Sequence, residues 1–335
     1  LSQKLHSLPN LPDAIPYRTS YYNRDWGFCV TERQYNALRD VDGELDVCID
    51  SSFDHNGTMT IGEIKIPGRR KEEYLVSTYI CHPSMANDNL SGMITTALLA
   101  KDISKFDTPE YSWRFVFVPE TIGSIVYLSK NLDHLKEHVI AGFNITCIGD
   151  DHCYSYLPSR NGNTLSDQIA LHVLKHIDKN FKRYTWLDRG SDERQYCSPG
   201  VDLPLVTLCR SRYGTYPEYH TSLDNFDLVT ASGLHGGFEY VRDCLLDIEQ
   251  NPRYQATYLC EPRLGKRGMY PELGSRSSGA QPNSNTVMQS LNVRAVLDVL
   301  ATFAEQVPAF RDRCGESAAM DENGFGFLNC PDTST

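Results

Sequence analysis

Residues 73–92, EYLVSTYICHPSMANDNLSG, decide how this chain folds. EYLVSTYI (73–80) is the kind of apolar run that a strand buried on both faces of a parallel sheet carries. CHPSMANDNL (81–90) is a polar loop, and SGMITTALLAKDISKF (91–106) then has the apolar spacing of a helix. The same unit recurs downstream. SWRFVFV (112–118) precedes a helix through IVYLSKNLDHLKE (125–137), and VIAGFNITCIG (139–149) precedes NTLSDQIALHVLKHI (163–177). DLPLVTL (202–208) precedes TASGLHGGFEYVRDCLLDIEQ (230–250), with Thr230 as the expected N-cap. This alternation predicts an α/β fold with a mostly parallel, mixed sheet flanked by helices. Chemistry in such sheets collects beyond the carboxyl ends of the strands.

Outward from that unit the pattern changes. Residues 1–67 read as a small β-rich domain. LPDAIPYRTSYY (11–22) is rich in Pro and Tyr, while GELDVCIDSSF (43–53) and GTMTIGEIKIPG (57–68) alternate as strands around a DHNG turn. A helix is expected only near Thr31 to Leu38. The α/β domain spans 68–262. Residues 263–335 read as a linker (GSRSSGAQPNSN, 274–285), one amphipathic helix (288–307) and an aperiodic tail expected to be disordered.

Composition narrows the partners. The 335 residues carry 32 Lys+Arg against 43 Asp+Glu, a net charge of −11, with no basic run. That balance argues against nucleic acid or an anionic membrane surface. No stretch approaches the ~18 consecutive apolar residues of a spanning helix, so no membrane span is expected. The 11 cysteines form no CxxC pair, and several lie in apolar runs such as STYICHPS, where a free buried thiol is expected. A reducing, cytoplasmic compartment follows as the expectation.

Four polar clusters lie just past four core strands: His82 and Asp88, then Glu120, then Asp150 and Asp151, then His220 and Asp224. Two imidazoles and several carboxylates on one rim are a ligand mixture suited to zinc. Each has a plainer reading. Asp88 and Glu120 can serve helix N-termini, and His220 can pair with Asp224. Four coincident placements favour one shared site.

These clusters resemble those of the zinc exopeptidase family with co-catalytic metals, which includes bacterial leucyl aminopeptidases and, more distantly, glutaminyl cyclases. The likeness rests on Cys81-His82, Asp88-Asn89-Leu90-Ser91-Gly92, Glu120 with Gly123-Ser124, Asp192 within Arg189-Gly190-Ser191-Asp192, and His220-Thr221-Ser222-Leu223-Asp224. STYICHPSMANDNLSG, FVPETIGSIVYLS, LPSRNGNT and RGSDERQYCSPG are more specifically similar to an uncharacterised aminopeptidase-like branch with an inserted β domain and often a C-terminal winged helix. The resemblance implies a metallopeptidase-like hydrolase, an exopeptidase acting on a small peptide or amide substrate with one or two Zn2+ ions. It implies metal ligands among His82, Asp88, Glu120, Asp150 and His220, with Asp192 orienting a ligand. Arg160, Tyr213 and Tyr216 are expected to line the substrate pocket. The chain departs from the family twice. Its paired glutamates read Pro119-Glu120 here, which leaves Glu120 as either ligand or general base, and one metal-binding acid falls at Thr146. Asp150, or Asp151 as a base, stands as the substitute. Non-peptide amide hydrolysis or cyclisation, and a non-catalytic metal-binding module, remain the other readings.

Overall fold

Alternating sequence makes a strand only where a neighbouring strand and an apolar layer receive it, and the front of the chain shows this limit. The computed structural model describes residues 2–20, 23–52 and 54–250. Strands β1 (Leu5–His6) and β2 (Phe28–Cys29) pair in parallel over two residues each. Helix α1 (Glu32–Arg39) starts at a capping box: the Thr31 hydroxyl accepts the Gln34 N–H, and the Gln34 side chain accepts the Thr31 N–H. Residues 44–52 form no strand and are all exposed, so their alternation has no face to bury. From the second alternating stretch comes β3 (Gly62–Ile66), which joins the main sheet rather than a separate one.

That sheet continues with β4 (Glu73–Ile80), an irregular turn at Ala86–Ser91 and α2 (Gly92–Ile103). Next come β5 (Ser112–Pro119), α3 (Ile122–His138), β6 (Val139–Ile145), β7 (Ser155–Leu157) and α4 (Leu165–Ile177). β8 (Lys182–Arg183), α5 (Glu193–Tyr196), β9 (Leu205–Cys209) and α6 (Ala231–Gln250) complete the described elements. The strand order is β3-β5-β4-β6-β9-β7-β8. β5, β4, β6 and β9 are parallel, while β3 and β7 run antiparallel to β5 and β9. A mixed, mostly parallel sheet is thus present, with the short strands β7 and β8 not foreseen from pattern.

Both faces are covered. Tyr74 and Val76 of β4 pack with Leu99, Leu174 and Leu245 from α2, α4 and α6, while Leu75 points the other way onto Leu128 and Leu135 of α3 and Tyr196 of α5. This explains why EYLVSTYI carries no polar face. Thr164 caps α4 with Asp167 in a reciprocal box, and the Thr230 hydroxyl accepts the Gly233 N–H at the start of α6. Among the described residues no helix is long and apolar enough to cross a membrane. The readings on residues 263–335 lie outside the described residues.

Candidate metal centre

His82 follows β4 and Glu120 follows β5, so parallel pairing of these strands brings both to one rim. Between β4 and α2 the chain makes the turn that carries Asp88. Asn89 fastens it: its amide donates to the Thr78 hydroxyl and the Tyr79 carbonyl, and its oxygen accepts the Cys147 N–H. At Gly92 a Cβ would lie 2.7 Å from the Ile145 carbonyl oxygen, so the motif glycine lets the turn press against β6. Asp224 does not pair with His220. Its two carboxylate oxygens accept the backbone N–H groups of Asn87 (2.6 Å) and Asp88 (3.0 Å), and so hold the turn from below.

At the centre, Asp88 is 1 % exposed and accepts the Tyr79 hydroxyl at 2.6 Å. Its Oδ2 lies 3.3 Å from Nε2 of His220 and 3.9 Å from Nε2 of His82. The two rings meet edge to face with centroids 4.8 Å apart. The His82 side chain is only 7 % exposed, yet neither of its ring nitrogens makes a hydrogen bond. Burial pushes this imidazole below its ordinary pKa, partly offset by the Asp88 charge, with His220 adding to the lowering. A buried neutral imidazole with an unused lone pair, beside a carboxylate and a second imidazole, is the donor set of a divalent metal. Zinc bonds of about 2.0–2.1 Å in a tetrahedron set neighbouring ligand atoms roughly 3.3–3.4 Å apart; the Asp88–His220 distance meets this spacing and the Asp88–His82 distance is longer. The residues fit the metal that the resemblance implies.

Glu120 stands beside this set. Its Oε1 accepts the Ser191 hydroxyl (2.9 Å) and its Oε2 the Cys81 thiol (3.3 Å). Burial raises its pKa; the Ser191 bond works against this, and the Asp88 charge adds to the rise. Thr121 follows in a left-handed conformation (φ 62°), strained for a β-branched residue. Asp192 stabilises that corner: its Oδ1 accepts the Thr121 N–H (2.7 Å) and the Ser124 hydroxyl (3.0 Å), and its Oδ2 is buried without a partner. Burial pushes the Asp192 carboxyl up to about 7. Asp192 therefore supports the Glu120 turn.

The remaining candidates are not brought to this place. Asp150 is fully buried and turned inward; it accepts from the Asn87 side chain, the Ser211 N–H and hydroxyl, and the His152 N–H. All four bonds tie loops together and leave it no role as a ligand. Asp151 accepts the hydroxyls of Thr230 and Ser232 at the start of α6. Arg160 pairs with Asp202, while Tyr213 donates to Glu193 (2.7 Å) and Tyr216 packs on Cys147, so these three serve packing and loop closure. Sequence reasoning missed two participants. Cys81 offers its sulfur to the same space as His82 and Asp88, the three ligand atoms lying within 4.8 Å of one another. Its adjacency to His82 was the available signal. Tyr17 stacks on the His82 ring with centroids 3.6 Å apart, and its N–H donates to the His220 carbonyl (2.7 Å). Nothing in the sequence linked the front segment to this rim.

Comparison with known proteins agrees with this architecture. Residues 10–251 match the profile described as a domain of unknown function, DUF4910, and residues 252–314 match a winged helix-turn-helix. A Clostridium acetobutylicum protein, provisionally named a polysaccharide biosynthesis protein with an aminopeptidase-like domain, is 44% identical over 278 residues. The match takes in 83% of this chain and 63% of the relative, so the chain spans less than two thirds of that protein's length. A crystal structure from Clostridium acetobutylicum, provisionally named a peptidase, superposes with a TM-score of 0.72 at 38% identity, over 91% of this chain and 72% of that one. An aminopeptidase from Aneurinibacillus sp. strain AM-1 is a fainter likeness, with a TM-score of 0.48 at 17% identity over 56% and 47% of the two chains. By the match across residues 10–251 and the fold it shares with the 38% identical structure, this chain belongs to the DUF4910 family, an uncharacterised aminopeptidase-like branch.

Proposed function

We propose that the chain is a zinc-dependent hydrolase of the aminopeptidase type, which cleaves a peptide or small amide bond. The observation that carries this reading is His82: two buried, unbonded ring nitrogens beside Asp88 and His220. His82, Asp88 and His220 would hold the ion. Zinc bound by such ligands supplies Lewis-acid polarisation and lowers the pKa of water from 15.7 to roughly 7.

The chain's own residues do the rest. Tyr79 fixes the orientation of Asp88 through its hydroxyl, and Tyr17 holds the plane of His82. Glu120, raised above its ordinary range by burial, is the general base: it takes a proton at one carboxylate oxygen and returns it to the leaving amine. Ser191 and the Asp192-braced corner at Thr121 hold that carboxylate in place.

Purified protein is expected to contain zinc and to release amines from aminoacyl amides. His220→Ala should lose the metal while unfolding at the wild-type temperature; stoichiometric zinc retained in that variant would sink the site. A second reading has one observation behind it, the polysaccharide biosynthesis role in the relative's name. It makes the substrate an acylated amino sugar, and a panel of aminoacyl amides against N-acyl sugars separates the two.

A further inference from the structure

We infer that Cys81 is itself a ligand of the metal, its thiolate standing in for the acid that is missing at Thr146. The inference rests on the metal-site reading above and extends it to a residue that the family pattern does not use. Three observations meet here. The Cys81 sulfur, a His82 ring nitrogen and an Asp88 carboxylate oxygen lie within 4.8 Å of one another, a tighter grouping than any other that the described residues offer. His82, next in the chain, has two buried nitrogens with no hydrogen bond, and its Nε2 faces Asp88. The places from which another anion would come are closed. Thr146 is a buried hydroxyl engaged with the Tyr79 hydroxyl at 2.6 Å, and Asp150 spends its oxygens on Asn87, Ser211 and His152.

Charge leads to the same residue. Two neutral imidazoles and one carboxylate leave a divalent ion with a net charge of +1 in a largely buried site, where uncompensated charge is costly. A thiolate brings the set to neutrality, and mixed Cys, His and Asp ligation is ordinary for zinc. The proton balance is local. As the sulfur–metal bond forms, the S–H bond breaks, and its proton leaves along the hydrogen bond that Cys81 already makes to Glu120 Oε2 at 3.3 Å, then passes to solvent. With Cys81, His82, Asp88 and His220 as protein ligands, the reacting water would enter as a fifth ligand, a coordination zinc reaches during catalysis, and Glu120 is left free to act as the base.

The test compares the full chain with Cys81→Ser, His82→Ala and, as a control at an exposed cysteine, Cys48→Ser. Each is stripped of metal, titrated with zinc, and separately loaded with cobalt(II). Wild type and Cys48→Ser should show a near-ultraviolet thiolate-to-cobalt charge-transfer band. Cys81→Ser should lack the band and bind zinc at least roughly tenfold more weakly, as loss of a ligand requires. Should Cys81→Ser not fold, mass spectrometry of the wild type decides: bound zinc should protect Cys81, and not Cys48, from alkylation. A band that survives in Cys81→Ser, or unprotected Cys81 in a zinc-loaded chain, overturns the thiol ligand while His82→Ala still reports the metal site. If wild type and His82→Ala alike bind no zinc, the site reading fails and this inference falls with it.

Discussion

Strands β4 and β5 carry a polar cluster at each end, and the two ends are built on opposite terms. At the amino end Arg114, its side chain 3 % exposed, spends its guanidinium on Glu73 (2.7 Å), Glu63 (2.6 Å), the Tyr127 hydroxyl and His134. Burial opposes ionisation of Glu63 and Glu73, but bonds from Tyr127, Lys65 and Arg114 to the first, and from Arg114 and His134 to the second, hold both below the usual carboxylate range. At the carboxyl end Asp88, Glu120 and Asp192 gather without an Arg or Lys, His82 is unbonded, and Glu120 and Asp192 are pushed upward by burial. One end is satisfied within the chain. The other is left wanting a cation, and unmet electrostatic demand of this kind marks a place for chemistry.

The comparison can be broken by substitution. Glu120→Gln should lower kcat by about 10²–10⁴-fold with zinc content unchanged, the span of a lost general base; loss of zinc instead would make Glu120 a ligand. Arg114→Met should reverse the pattern. Two partly exposed carboxylates lose the buried cation they share, so urea unfolding should report roughly 1–3 kcal/mol less stability while zinc per folded chain stays the same.

Acidity sharpens the contrast in the metal-free protein. Glu63 and Glu73 contribute stability that is present above their unfolded value of 4.5 and is lost as pH falls through their lower folded values. Asp192 acts with the opposite sign. The unfolded chain gives up this proton near 3.8 and the folded chain near 7, so stability declines as pH rises across that interval. Asp192→Asn should flatten the decline, as followed by urea unfolding at a series of pH values; an unchanged slope would mean the carboxyl is already ionised in the fold. The smallest effect is expected from Tyr17→Ala. Loss of the ring stack on His82 should cost about 0.5–1.5 kcal/mol, seen as zinc affinity reduced by a few-fold to roughly tenfold.

The satisfied and the unsatisfied ends were not equally legible. Residues 73–92 disclosed both the sheet and the rim, because a strand buried on two faces cannot be hidden and polar residues directly past it have few other purposes. That logic put His82, Asp88, Glu120 and His220 on one rim, where the fold also has them. Asp150 obeyed it too and was misplaced, since only the fold shows Ser211 and Asn87 turning its oxygens inward. Cys81 was read as an inert buried thiol because the run STYIC is apolar, and chain adjacency to His82 carried too little weight. Arg160, Tyr213 and Tyr216 found partners in Asp202, Glu193 and Cys147 that no local pattern announces. The alternation over residues 43–53 misled for a physical reason: a period of two describes a side-chain arrangement and says nothing of a partner to hold it.

The front segment is latched to the loop of His220. The Ile15 N–H donates to the Ser222 hydroxyl 207 positions away, Ile15 accepts the Ser222 N–H in return, and Tyr17 bonds the His220 carbonyl where that residue turns left-handed at φ 55°. During synthesis this clasp cannot close until residues beyond 222 have left the ribosome, although β4 and its neighbours can pair much earlier. The sheet can thus begin to pair while the rim around His82 still lacks the stretch that carries His220. A nascent chain stalled before that point would have paired strands and an unlatched front segment.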